Sequence, residues 1–530
     1  MNHKSAFTET WRLNKPAVST GDGIVVSQHY EASAVGAQVL SEGGNAVDAA
    51  IATSLALAAV EPWMSGLGGC GNLLYYQADS DHCDAVSFGV RAPLGLNKDD
   101  YPLAGGQASD LFAWPAVVED RNVHGPKSVA VPGYVAGIAH ALERFGTRPF
   151  ASVVAPAIEL AHRGMDVDWY ASLKIGSCAQ LLSRFEPSAS IYLDEGHTPV
   201  GEWGGPLPRI ELAGLAQTLE TLAQNGAMDF YHGELAEQII DDAKAVGIGL
   251  SAEDLNQYRV TETEACNYSY AKSSVLTVPG MTAGPTLNHA LDLLEKSATT
   301  AGGHQPDESR YGAIARSLDE AYQYRLKHLG DADDSASPSC TTHLSVTDRD
   351  GNVVSLTQTL LSLFGSKVVL PETGILMNNG IMWFDPRPGQ INSMAAGRWP
   401  LSNMCPVILK TDDKTVALGA SGGRRIMPAV FQLVSFLVDH NMSLEKAAHY
   451  PRIDVSGSPV FSVDDRLPAA LLEDIEDRTV VRAPNGVYPA LFACPNIAAF
   501  HKARAISEGA AYVASPWAMA ASGTVEPSLS

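Results

Sequence analysis

Thr341 and Thr359 have the residue type and the spacing for nucleophilic chemistry. Between them Asp350-Gly351 is a turn signal, flanked by Leu344-Ser345-Val346-Thr347 and Val353-Val354-Ser355-Leu356-Thr357, residues that favour strands. A three-residue loop of Arg349, Asp350 and Gly351 gives Gly351 the left-handed conformation such loops need. Asp348 then opposes Asn352, and counting outward along both arms sets Thr341 opposite Thr359. Opposed residues project from one sheet face with Cβ atoms about 5 Å apart. The run Gly330 to Cys340, rich in Asp, Ser and Ala, reads as an exposed loop leading into the hairpin. That placement suits a chain cut between Cys340 and Thr341.

The chemistry of such a cut follows from the base it creates. A threonine hydroxyl is a weak nucleophile at neutral pH and needs a proton acceptor beside it. A freed α-amine has a pKa of about 7.7–8.0, so its neutral fraction serves as that acceptor. Thr341 would supply nucleophile and base together. Thr-rich hairpins also occur simply because Thr favours strands, so the hairpin alone leaves both readings open.

Alternating helices and strands must position these residues. A helix over 32–41 ends at Gly43-Gly44, and Asn45 caps a second helix running towards Val60. Helical patterns recur over 135–144, 153–163, 212–224, 234–245, 287–294 and 313–329. Strands are expected to dominate from Thr341 to Leu418, where a Gly turn opens a helix over 425–440. Gly66-Leu67-Gly68-Gly69-Cys70-Gly71 fits the dinucleotide fingerprint. It follows a helical run and precedes a β-like one, the reverse of the required order, so it reads as a tight loop.

At 530 residues and 45% hydrophobic, the chain can bury a large core. A net charge of −23 argues against nucleic acid as a partner. Seven cysteines show neither a metal spacing nor a disulfide framework, and the histidines show no paired ligand spacing. His343 reads as a strand residue beside the nucleophile. No metal or cofactor is expected. Residues 1–16 carry no apolar core segment, and the longest apolar stretch, Ala49 to Val60, is too short to span a membrane, which points to the cytoplasm.

Several blocks occur in an order that resembles the γ-glutamyltransferase family of N-terminal nucleophile hydrolases. They are Gly43-Gly44-Asn45-Ala46-Val47-Asp48, Val60-Glu61-Pro62, Ser65-Gly66-Leu67-Gly68-Gly69 and Val131-Pro132-Gly133. Thr341-Thr342-His343, Gly374 to Asn379, Pro400 to Met404, Gly419 to Ile426 and Ala448 to Arg452 follow. The resemblance implies an α/β fold, a four-layer αββα sandwich. It also implies self-cleavage at Cys340–Thr341 into a large subunit, 1–340, and a small one, 341–530, associating as αβ units or dimers of them. Thr341 matches the family nucleophile, Thr359 the threonine that helps activate it, and Gly422 with Gly423 the oxyanion hole. Ser402 matches one of two serines that hold the substrate carboxylate, and Asn403 replaces the other.

The departures bear on substrate. The family arginine that holds a γ-glutamyl carboxylate falls at Gly89, with Arg91 two residues on, either a substitute ligand or a surface charge. The polar residues that hold the α-ammonium fall at Leu361, Gly380 and Trp383, where a bare ammonium would be desolvated at a cost of several kcal/mol. Trp383 with Met382 forms an apolar wall or packs in the core. The segment Asp385 to Asn392 is short where transferases carry a lid, suggesting a more open site. These losses point to an amidohydrolase or acylase acting on a small carboxylated amide without the amino group, oxamate-like or glutaryl-like. Two alternatives stand beside it. One is a γ-glutamyl hydrolase or transferase that uses Asn379 or Glu372 for the ammonium. The other is a non-catalytic relative with a binding role.

Overall fold

The computed structural model describes residues 13–107, 114–297, 303–329, 340–457, 460–468, 479–488 and 490–523. The expected loop over 330–339 and residues 1–12 lie outside the described residues. Two seven-stranded sheets form the centre. From edge to edge the first runs Met519–Ser522, Ile24–Ser27, Cys340–Thr347, Val353–Leu361, Cys70–Gln77, His82–Phe88 and Thr261–Glu264. The second runs Val18–Thr20, Ile506–Ala511, Cys494–His501, Lys414–Ser421, Val407–Lys410, Ser273–Thr277 and Cys266–Tyr270. Every pairing in both is antiparallel.

The alternation of side chains along strand Cys340–Thr347 shows how the layers stack. Leu344 and Val346 join the apolar cluster formed with helices Ala46–Val60, Tyr134–Phe145 and Phe150–Arg163. His343, Ser345 and Thr347 face the second sheet. There Ser345 Oγ donates to the Asn496 carbonyl at 3.1 Å, and Asn496 Nδ2 donates to the His343 carbonyl at 2.9 Å. The outer face of the second sheet packs on helices Gly284–Lys296, Glu308–His328 and Ile426–Val438. The result is the expected helix–sheet–sheet–helix sandwich.

Helix Ala46–Val60 is buried at every residue, as a helix apolar on all sides must be. Asn45 caps it as expected, in a capping box with Asp48. At this end the carboxylate of Asp348 accepts from the Ala46 N–H at 3.0 Å, and also from the N–H groups of Asp350 and Asn352. One side chain thus caps the helix and closes the hairpin turn, in which Gly351 takes φ +84°. At the other end the carbonyls of Met64 and Trp63 accept from Leu360 and Phe364. The helix therefore pins both ends of the hairpin.

Strand does not persist from Thr341 to Leu418. Between Leu361 and Val407 the chain is irregular apart from the short helical turn Gly380–Trp383. Pro371, Pro386, Pro388 and Pro400 cannot donate to a ladder, and Gly365, Gly374, Gly389 and Gly397 all take positive φ. Helices Trp169–Leu182, Glu186–Tyr192 and Leu444–His449 were not anticipated. Among the described residues no helix is long and apolar enough to cross a membrane.

Candidate active site

The hairpin keeps its expected register from Asp348–Asn352 as far as Thr342–Gln358. Beyond that a bulge sets Cys340 opposite Leu361, so Thr359 and Leu360 together oppose Thr341. The simple Thr341–Thr359 pair is thus corrected to a two-against-one arrangement, a device common beside active sites. Leu361 takes φ +84°, a region a branched side chain rarely enters, and its N–H donates to Thr359 Oγ1 at 2.7 Å. That bond fixes the orientation of the Thr359 hydroxyl. Thr341 and Thr359 are both fully buried, and Thr341 Oγ1 has no hydrogen-bond partner. A buried hydroxyl left unpaired is costly, and this one stands at the position the hairpin offers for a nucleophile.

His343, two residues on, is buried between Thr357 Oγ1 at 2.9 Å and Ser345 Oγ at 3.0 Å. Burial drives its imidazole pKa down to about 3, so it is a neutral structural residue. Its ring lies against Gly419, where a Cβ would meet Cε1 at 2.3 Å. Strand Lys414–Ser421 continues from there to Gly422 and Gly423, which precede helix Ile426–Val438. Gly422 takes φ +140°, and Gly423 takes φ +66°, a left-handed conformation that favours glycine. Thr341 and the Gly422-Gly423 turn thus leave the sheet interface at the same end. The first N–H groups of a helix lack intrahelical partners and favour an anionic oxygen.

Cys70 pairs with Thr359 across the first sheet and belongs to a buried apolar cluster with Leu361, Met382, Trp383, Leu401 and Met404. Trp383 is fully buried in it, and Thr341 itself is fully buried as well. A Cβ on Gly380 would meet Ala130 at 2.6 Å, Val90 at 2.8 Å and Asn378 Oδ1 at 2.9 Å, leaving no room for a side chain. Leu361 and Trp383 lie in apolar packing, and Gly380 brings no side chain that could hold an ammonium. The short segment 385–392 is anchored at its two ends and exposed between them: Asp385 pairs with Arg387, and Asn392 Nδ2 donates to the Trp383 carbonyl at 2.5 Å. The apolar cluster beneath gives the segment a surface to fold onto.

Arg91 is neither a surface charge nor turned to an open site. It is buried, and its guanidinium donates to the carbonyls of Asp254 at 3.2 Å and Gln257 at 3.4 Å. Asn379 is likewise occupied, its amide bonded to Ser362 and to the Val123 carbonyl. Glu372 is exposed. Ser402 Oγ accepts from the Met404 N–H at 3.2 Å, and Asn403 is buried with Nδ2 unpartnered. The side chain of Cys340 lies outside the described residues.

Two charged residues escaped the reading of the sequence. Glu61, at the end of helix Ala46–Val60, is 2% exposed, with Oε2 lacking a partner. Burial pushes its carboxyl pKa up to about 8, against the opposing pull of the Lys174 ammonium and the nearby Thr342 hydroxyl. Thr342 Oγ1 faces it without closing a bond of normal geometry. Arg325 is 1% exposed and donates to the Ser402 carbonyl at 2.6 Å and Asn403 Oδ1 at 3.1 Å. A signal for it existed: it continues the buried helical stripe Ile314, Leu318, Ala321 and Tyr322. Among the described residues no group of His, Cys, Asp and Glu is placed to hold a metal.

The Gamma-glutamyltranspeptidase family model matches residues 32–340 and 332–486. The chain is 34% identical over 508 residues to the acylase ACY 1 proenzyme of Pseudomonas sp. (strain SE83), covering 89% of each. It is 28% identical over 508 residues to the glutathione hydrolase proenzyme of Bacillus subtilis (strain 168), covering 86% of this chain and 84% of that one. Its fold is shared with the cephalosporin acylase from Bacillus halodurans at a TM-score of 0.85 and 22% identity, over 99% of this chain and 100% of that one.

Proposed function

The chain belongs to the gamma-glutamyltranspeptidase family, and from that premise we propose an amide hydrolase that cuts itself before Thr341 and acts through an acyl-Thr341 ester. Its substrate is a small amide whose acyl part carries a carboxylate but no α-amino group, of the glutaryl or oxamate kind. The observation that carries this choice is that Leu361 and Trp383 pack in an apolar cluster beside the candidate nucleophile and Gly380 has no side chain to offer. An ammonium placed there would lose water without a charged or polar side chain from these positions to receive it. The acylase relatives support the same direction.

In the proposed reaction the Thr341 α-amine takes the proton of its own hydroxyl as Oγ adds to the amide carbonyl. Gly422 and Gly423 N–H groups stabilise the oxyanion. Collapse breaks the C–N bond, and the leaving nitrogen departs with the proton held by the α-amine. The same amine then deprotonates water, which cleaves the ester and restores Thr341. Both sheets take strands from either side of Cys340–Thr341, which supports a cut chain staying together as one body of two subunits, 1–340 and 341–530. Comparing kcat/KM for glutaryl-p-nitroanilide and γ-glutamyl-p-nitroanilide tests the substrate class. A glutaryl preference supports the reading, and efficient γ-glutamyl transfer to a dipeptide overturns it.

A further inference from the structure

Arg325 is a fully buried cation without an acid. Its guanidinium donates to the carbonyls of Thr282 and Ser402, to Thr286 Oγ1 and to Asn403 Oδ1, all neutral groups. Among the described residues no carboxylate pairs with it. Burial lowers its pKa only to about 10, so it remains charged at neutral pH. An ion held this way keeps an outward field that a salt bridge would cancel.

A guanidinium has donors only, so the amide of Asn403 must turn its oxygen towards Arg325. Its nitrogen then points the other way, and Asn403 Nδ2 is buried with nothing to donate to. The segment lies beside the nucleophile. The next residue, Met404, packs with Cys70 and Leu361, and its Sδ receives Asn72 Nδ2 at 3.7 Å. Asn72 and Cys70 pair with Thr357 and Thr359.

We infer that Arg325 is a positioning residue that clamps Ser402-Asn403 from behind, turns Asn403 Nδ2 into the site as a donor, and biases it towards an anionic substrate oxygen. The clamp, a large-subunit cation acting through small-subunit residues Ser402 and Asn403, supplies what is missing at Gly89, where a Cβ would meet only the Trp399 ring at 3.7 Å. The inference rests on the proposed function, because it assumes an acyl end carrying a carboxylate.

Calorimetric titration with glutarate and with glutaramide tests it without requiring turnover. Wild-type protein should bind glutarate at least about tenfold more tightly. Arg325→Met removes the clamp but risks the fold, so Arg325→Lys, which keeps the charge and loses the fork of donors, is measured beside it, and Asn403→Asp checks the donor. It sets a carboxylate on the guanidinium, satisfying the buried charge while removing the donor and the field. Its unfolding midpoint should stay at or above that of wild type while the glutarate preference disappears and glutaramide binding is unchanged. In turnover the loss should fall on KM for carboxylated substrates, with kcat little affected. Loss of preference in Asn403→Asp alone tests only the donor; a folded Arg325→Lys or Arg325→Met that keeps the glutarate preference, or no preference in wild type, overturns the inference. Cleavage at Thr341, read by mass, is independent. An uncut chain with Asn403-dependent glutarate binding refutes the proposed function alone, and a cut, active chain with Asn403-independent binding refutes the clamp alone.

Discussion

The ring of His343 occupies the space that a side chain on Gly419 would need, with Cε1 2.3 Å from where a Cβ would sit. This contact locks the two sheets in register and thereby fixes where the start of strand Cys340–Thr347 lies relative to the Gly422-Gly423 turn. Gly419→Ala should force the sheets apart or displace the imidazole, costing about 1–3 kcal/mol or more. Urea unfolding measures the loss. Adding His343→Ala should recover part of it, and strict additivity of the two changes would mean they do not share this contact.

Thr359→Val keeps the branched shape and removes the hydroxyl that accepts from Leu361. Self-cleavage and turnover should both slow, by about 10²-fold or more, while the stranded Leu361 N–H lowers stability by about 1–3 kcal/mol. Gel densitometry over time and steady-state rates supply the readout, and wild-type rates in both would remove Thr359 from the mechanism.

Asp348→Ala removes one carboxylate from the Ala46, Asp350 and Asn352 N–H groups at once. The loss of a helix cap alone is worth about 0.5–2 kcal/mol, and the turn adds to it. Thermal unfolding should show a lower midpoint, and Asp348→Asn, which keeps one acceptor oxygen, should fall between.

The pH dependence of stability has two limbs. Glu61 titrates near 8 when folded against a normal 4.5, so the folded state holds the extra proton between those values. Stability therefore falls as pH rises from about 4.5 through 8, by something of the order of a few kcal/mol. His29 and His343 are both lowered to about 3 by burial, so their contribution is complete above pH 6.5 and fades as pH falls towards 3. Glu61→Gln should abolish the alkaline limb, leave the acid limb, and move the stability maximum to higher pH. Denaturation midpoints from pH 4 to 9 decide it, and parallel curves for the two proteins would contradict the buried neutral carboxyl.

Local signals were readable where one residue type does one job. Asp350-Gly351 set the turn and most of the hairpin register, and Asn45 announced its helix. The bulge at Thr341 was not readable, because it depends on how Leu361 packs against Cys70 and Trp383, residues distant in sequence. Glu61 stood in a matching block, but its burial was hidden, because a charged residue closing an apolar helix looks solvated until tertiary packing covers it. Arg325 was legible only as a continuation of its helix's buried stripe. Arg91 misled in the opposite sense, since proximity in sequence to the family arginine said nothing of the carbonyls of Asp254 and Gln257 that hold it.

The central claim is that Thr341 becomes an N-terminus and then the nucleophile. Intact mass of the purified protein under denaturing conditions tests it most directly. Two fragments, the smaller beginning at Thr341, are expected from wild type, with one uncut chain from Thr341→Ala. A wild-type chain that stays whole after prolonged incubation, or a cut elsewhere that survives Thr341→Ala, would contradict the account.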